Sequence, residues 1–285
     1  MELLEAKPQY LRTAILPWKQ VTIIPIGDIQ FGSPGCDIER LKAEIQRGLD
    51  QNAWFIGMGD YHDFLSPSNR RFLANSGLYD TAHDLIESWY MEHLEELKEI
   101  LRPTKGRWLG MLEGHHYFEL SDGGTTDTEL CRFLEAPFLG TCAVLRMQFK
   151  GTNSHVIDCW LWAHHGTGGG DDPLRQLVRV APGFPQVDVF LQGHNTSIDA
   201  RPKDMVEFYG NNGNLKMRDR RQLFVATGGF MRGYQRGSRL GRRGRPQGTY
   251  VEKAMMRPTA LGSVTVYITP TRRHDYNELD IHVLT

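Results

Sequence analysis

Trp54-Phe55-Ile56-Gly57-Met58-Gly59-Asp60-Tyr61-His62-Asp63 is the stretch on which the fold turns. Its first five residues are apolar with no polar alternation, the pattern of a short strand buried on both faces. The Gly59-Asp60 step then marks the exit of that strand into a loop. The same design recurs along the chain. Val21-Thr22-Ile23-Ile24-Pro25-Ile26 runs into Gly27-Asp28-Ile29-Gln30, and Trp108-Leu109-Gly110-Met111-Leu112 into Gly114-His115-His116. Cys159-Trp160-Leu161-Trp162-Ala163 leads to His164-His165, and Val187-Asp188-Val189-Phe190-Leu191 to Gly193-His194-Asn195-Thr196. Loops that follow parallel strands collect along one sheet edge, so these clusters are expected to converge. Hard carboxylate oxygens and borderline imidazole nitrogens are the donors a divalent cation requires.

Between these runs the spacing predicts helices. Residues 37–49 place Ile38, Leu41 and Ile45 at helical intervals behind Asp37 as N-cap, which makes a β-α-β unit with the flanking strands. Residues 81–101 carry Leu85, Trp89, Leu94, Leu97 and Leu101 as one apolar stripe, stopped by Arg102-Pro103. Residues 121–126 read as a loop, with Thr126 or Asp127 capping a short helix through Leu134. Strands are expected at 141–150 and 155–163, then a short helix at 173–180, strands at 222–227 and 263–269, and an edge strand at 280–284. An α/β beginning followed by a β-rich half predicts a four-layer αββα sandwich, two mixed β-sheets face to face flanked by helices. It is expected as one domain over residues 1–285, with a mobile Gly/Arg-rich loop at about 232–248.

The formal net charge of −1 gives no bulk attraction to polyanions, so any such preference must come from a local patch. Met1-Glu2-Leu3-Leu4-Glu5 lacks the profile of a secretion signal, and no apolar run approaches the roughly 20 residues that span a bilayer. A cytoplasmic location without membrane contact is therefore expected. Cys36, Cys131, Cys142 and Cys159 are widely separated and read as reduced thiols, neither a zinc knuckle nor a disulfide frame.

Taken in order, Asp28, Gly59-Asp60-x-x-Asp63, Gly114-His115-His116, His165-Gly166 and Gly193-His194 resemble the motifs of the calcineurin-like metallophosphoesterases over nearly the whole chain. Gly114 to Phe118, the Thr-Thr-Asp loop and His165-Gly166 also look like the small members of that family often encoded by phages. The resemblance implies Asp28 as ligand of a first metal and Asp60 as a bridge to a second. His115 stands where the family has an asparagine ligand, and His165, with His164 just before it, and His194 complete the second metal's shell. It implies His116 as the group that contacts substrate and stabilises charge or protonates the leaving oxygen, with Asp63 completing the catalytic set. Two departures fall together on the first metal: Gln30 and Thr196 replace expected histidines. That site could bind weakly through Asp28, Asp60, Gln30 and water, recruit His62 or Asp199, or leave a one-metal centre. The implied cofactor is one or two divalent ions, Mn²⁺ foremost, with Mg²⁺, Ni²⁺, Fe²⁺ or Zn²⁺ also suited.

Several tempting signals carry less. The glycine-rich segment 166–172 lacks the Gly-Lys-Ser/Thr ending of a phosphate loop, and Asn195-Thr196-Ser197 is a glycosylation acceptor only in a secreted chain. Tyr61, Tyr117 and Phe118 flank the donors and could stack on a base or simply pack in the core. Arg232, Arg236, Arg239, Arg242, Arg243 and Arg245 form the one strongly basic stretch, suited to phosphate oxygens or to a solvated loop. The expected activity is hydrolysis of phosphodiester bonds of nucleic acid or nucleotides by metal-activated water, with Arg232, Arg236 and Tyr117 binding substrate. A phosphomonoesterase acting on nucleotides or phosphoproteins is one rival. The other is a non-catalytic binding scaffold, which the loss of imidazole at Gln30 and Thr196 favours. No obligate protein partner is evident.

Overall fold

The apolar runs become the strands of two stacked sheets. The structure, a computed structural model, describes residues 11–152, 155–168, 170–210, 215–234, 248–273 and 276–285. In chain order the elements are β1 (Leu11–Pro17), β2 (Val21–Ile26), α1 (Ile38–Asp50), β3 (Trp54–Gly57), α2 (Pro67–Ala74), α3 (Asp80–Leu101), β4 (Trp108–Met111), α4 (Thr126–Leu134), β5 (Cys142–Lys150) and β6 (Val156–His164). They continue with α5 (Arg175–Val180), β7 (Val189–Gln192), β8 (Ile198–Tyr209), β9 (Lys216–Gly229), α6 (Tyr250–Lys253), β10 (Gly262–Ser263), β11 (Thr265–Arg272) and β12 (Asn277–Leu284).

One sheet has the order β12-β11-β2-β3-β4, and the other β1-β5-β6-β7-β9-β10 with β8 paired to β9. Both are mixed. β2, β3 and β4 are parallel with β11 and β12 antiparallel, while β6, β7 and β9 are parallel with β5 and β8 antiparallel to their neighbours. Ile23, Ile56, Met58 and Leu112 of the first sheet meet Leu145, Met147, Leu161, Val189, Leu191 and Val225 of the second in a dry central layer. The outer face of the first sheet presents Ile24, Ile26, Phe55 and Trp108 to Leu41 and Ile45 of α1, Leu94, Leu97 and Leu101 of α3, and Leu130 and Leu134 of α4. Trp162, Phe190 and Phe224 on the outer face of the second sheet are covered by Leu174, Leu177 and Ala181. The result is the expected αββα sandwich, with a thin fourth layer made of six-residue α5 and the 3-10 turn Ala181–Gly183. No helix among the described residues is long and apolar enough to cross a membrane.

Asp37 caps α1 as expected, its side chain accepting from Arg40 N at 3.1 Å. Two local expectations are corrected, and three elements were not expected. The apolar stripe of α3 divides: Leu94, Leu97 and Leu101 are buried, but Leu85 is 72% and Trp89 50% exposed, because only the C-terminal half of the helix lies over the sheet. The cap of α4 is Thr125 in a capping box with Thr128, which frees Thr126 and Asp127 to be buried under the adjacent loop. The β1 strand and the helix α2, opened by Ser66 before Pro67, were not expected. Nor was β8, whose residues 201–204 are exposed on both faces. Of the Gly/Arg-rich stretch, residues 235–247 lie outside the described residues.

Candidate metal centre

The loops after β2 and β3 continue side by side beyond the strands. Asp28 N donates to Gly59 O at 2.9 Å, Gln30 N to Asp60 O at 3.1 Å and Phe31 N to Tyr61 O at 3.0 Å. Keeping that pairing while turning the side chains inward requires unusual backbone. Asp28, Gln30, Asp60, His194 and Thr196 have φ of +47°, +52°, +52°, +69° and +49°, five of the nine non-glycine residues in the left-handed region among the described residues. Such conformations are costly for L-residues and cluster where a site demands them. Gly114 answers a different need: a Cβ there would lie 2.0 Å from Asp60 N, so only glycine lets the double-histidine loop reach Asp60.

Asp60, His115, His165 and His194 each offer a donor atom, and these atoms all lie within 4.8 Å of one another. The imidazole centroids are 4.6 Å (His115–His165), 5.0 Å (His115–His194) and 5.2 Å (His165–His194) apart. Asp60 and His115 come from the first sheet, His165 and His194 from the second. His165 is fully specified as a ligand. Its Nδ1 lies 2.7 Å from Met58 O and must donate there, since a carbonyl only accepts. The buried Nε2, 3.4 Å from Asp60 Oδ1, has no hydrogen-bond partner. A buried imidazole nitrogen with no hydrogen-bond partner, oriented by a carbonyl behind it, is the arrangement of a metal-binding histidine, which gives up its Nε2 proton when it binds the ion. The residues present therefore fit a divalent cation, and three imidazoles with one carboxylate suit a transition ion better than Mg²⁺ or Ca²⁺.

The electrostatics place positive charge at the same point, as a proton on His165 that a metal ion would displace. Burial opposes charge on both Asp60 and His165, but the neighbouring His165 and His116 rings hold the Asp60 carboxyl well below the usual carboxylate range. The Asp60 and Asp28 carboxylates in turn raise His165 to about 9. Burial, reinforced by the nearby His165 cation, pushes His194 down to about 4, and the same two causes lower His115, so both rings keep neutral lone pairs. Beside the cluster, His116 sits with Nδ1 3.5 Å from Asp63 Oδ1 and Nε2 4.0 Å from Asp60 Oδ2. Burial works against its cation, yet the nearby Asp63 and Asp60 carboxylates leave its pKa raised.

The other sequence candidates are placed as follows. Asp28 is buried beside the group but outside it, its Oδ2 accepting from His194 N at 2.8 Å, and burial pushes its carboxyl up to about 7. Gln30 points its amide at Asp60, Nε2 to Oδ2 3.0 Å. His164 also stands apart: its Nδ1 accepts from Gly166 N at 2.7 Å and its ring stacks on Trp162. His62 is buried against Phe64, ring centroids 4.3 Å apart, and burial lowers it to about 3. Asp199 faces Arg201 at 3.4 Å. Tyr61 is sealed in the core with its hydroxyl on Leu112 O at 2.8 Å, and Phe118 packs with Phe64 and Tyr90. Arg232 is held by Asp37 at 2.6 Å, and Arg236 lies outside the described residues.

Two residues outside the donor set shape the site. Arg70 of α2 donates through Nη1 to Leu65 O at 2.6 Å, His115 O at 2.7 Å and Tyr117 O at 3.3 Å, with its guanidinium 3.8 Å from the centre of the Tyr117 ring. Asp127 accepts from Gly114 N at 3.2 Å. Together they fix the double-histidine loop from both sides. The capping pattern around Asp127 was visible in the sequence; the reach of Arg70 to main-chain carbonyls leaves no trace there.

No family model matches the chain, and no curated protein matches it. Among solved structures it is similar to Vacuolar Protein Sorting 29 from Cryptosporidium parvum, at 11% identity, with 94% of this chain and 99% of that chain covered and a TM-score of 0.36.

Proposed function

We propose that this chain is a metal-dependent phosphoesterase of the calcineurin-like kind that cleaves phosphodiesters, with nucleic acid or nucleotides as substrate. The observation that carries the proposal is the convergence of Asp60, His115, His165 and His194, with the buried His165 Nε2 left unpartnered. A divalent ion held there would polarise a phosphoryl oxygen and lower the pKa of a water.

The chain's own groups do the rest. Met58 O fixes the His165 ring so that Nε2 faces the cluster. Asp63 Oδ1 lies 3.5 Å from His116 Nδ1 and favours the charged ring, with Nε2 free to carry a proton toward the leaving alkoxide. The raised pKa of His116 favours the protonated ring that such a role requires. Arg70, committed to carbonyls, keeps His115 and His116 at fixed spacing from Asp60. Preference for a diester is supported by this acid and by the arginines of the sequence between 232 and 245.

Turnover of bis-para-nitrophenyl phosphate against the mono ester, across Mn²⁺, Ni²⁺, Zn²⁺ and Mg²⁺ and alongside single-stranded DNA and RNA, tests this. Faster cleavage of the diester is expected. Preference for the mono ester would make the protein a phosphomonoesterase, and no turnover with any of the four ions would make it a scaffold.

A further inference from the structure

We infer that this centre holds a single divalent cation, with Asp60 as a terminal ligand, and that the adjoining position beside Asp28 is closed to a second ion by hydrogen bonds. This rests on the metal-centre reading above and concerns how many ions that centre takes. An ionised carboxylate offers about four lone-pair sites. On Asp60 three are used by the chain itself: Oδ1 accepts from His115 N and from His116 N, the latter at 3.1 Å, and Oδ2 accepts from Gln30 Nε2 at 3.0 Å. One site remains, enough for a terminal bond to the ion that His115, His165 and His194 also face, and too few for a bridge.

Gln30 decides the matter. Its amide oxygen cannot face a carboxylate, because both groups only accept, so the atom opposite Asp60 must be the NH₂ group, which has no lone pair for a cation. The side chain thus neutralises part of the Asp60 charge from the side where a second ion would sit. Asp28 is partly used as well, its Oδ2 accepting from His194 N at 2.8 Å. The main chain crowds Asp28 as well: a Cβ on Gly193 would lie 3.0 Å from its Oδ2, and one on Gly229 would lie 2.9 Å from its Cβ. No imidazole completes that position. Thr196 offers a hydroxyl and a methyl, and the nearby His62 ring is stacked on Phe64. Among the described residues, the only group of three or more His, Cys, Asp or Glu donors is the four-membered one. A second buried dication with one hydrogen-bonded carboxylate to meet it would be left largely uncompensated.

The chemical consequence is specific. Two ions clamp the attacking and leaving oxygens of a phosphoryl transfer together, whereas one ion serves a single side. The leaving oxygen then depends on His116, which stands beside the cluster between Asp60 and Asp63.

Equilibrium dialysis against Mn²⁺ with elemental analysis counts the ions, and electron paramagnetic resonance of the same sample reports their spacing. Saturation near one Mn²⁺ per chain is expected, with the hyperfine pattern of an isolated ion. The double variant Gln30→His, Thr196→His, which returns both imidazoles and removes the amide from Asp60, is expected to approach two ions with a spin-coupled spectrum. Two ions in the wild-type chain, or a coupled spectrum at saturation, would overturn the inference whether or not the variant folds. Hydrolysis measured on the one-ion sample separates the two claims: one ion without turnover removes the phosphoesterase and leaves the single-ion centre standing. No bound ion would overturn both.

Discussion

His116 and Asp127 show how individual environments set individual tasks. His116 touches the reacting side of the cluster without belonging to the four donors, so its loss should separate chemistry from binding. His116→Ala is expected to lower kcat by about 10²- to 10⁴-fold, with metal content by elemental analysis unchanged; loss of the ion would place His116 among the ligands. Asp127 is buried under Gly114, and burial raises its carboxyl from 3.8 to about 7. Its folded pKa lies above its unfolded one, so the stability it contributes is complete below about pH 4 and is lost as pH rises to about 7, where the slope ends. Asp127→Asn keeps an acceptor for Gly114 N and removes the titration. Its urea midpoint should exceed the wild type's at pH 8 and approach it near pH 4. A constant difference across that range would mean that Asp127 does not titrate as described.

At the scale of elements, α3 behaves as two helices in series. Its C-terminal half is core: Leu97 lies against the first sheet, and Leu97→Ala should cost about 2–5 kcal/mol in chemical denaturation. Leu85 occupies the same predicted stripe, yet Leu85→Ala should stay within about 0.5 kcal/mol. Helical periodicity reports which face is apolar and carries no information about where the helix overhangs the sheet it covers, which explains the one misjudged stripe. The β8 strand escaped for the complementary reason. Charged and apolar residues alternate poorly in Ile198–Tyr209, which among the described residues pairs with β9 alone and exposes residues 201–204 on both faces. By contrast α1 was legible from Asp37 and three apolar positions, since cap and periodicity agreed. Arg70 sits between these cases: it lies on a helix whose Ser66-Pro67 start could have been read, but its partners are carbonyl oxygens, which carry no residue signature.

At the scale of the whole molecule, the layered architecture and the four converging donors were readable because each donor ends a strand whose apolar run is unmistakable. The status of Asp28 and Gln30 was not, because it depends on which lone pairs neighbouring N–H groups use, a matter of ångströms. The two-sheet origin of the cluster has a further consequence through His165, which leaves the second sheet, binds the Met58 carbonyl of the first and offers its other nitrogen to the centre. An ion bound by all four donors would rivet the seam between the sheets at one end. Chelator treatment should then accelerate deuterium uptake at the amides of residues 57–61 and 192–195, which line that seam, and leave the β8–β9 ribbon at its own rate. Uniform uptake with and without chelator would show the sheets to be fastened there by protein alone.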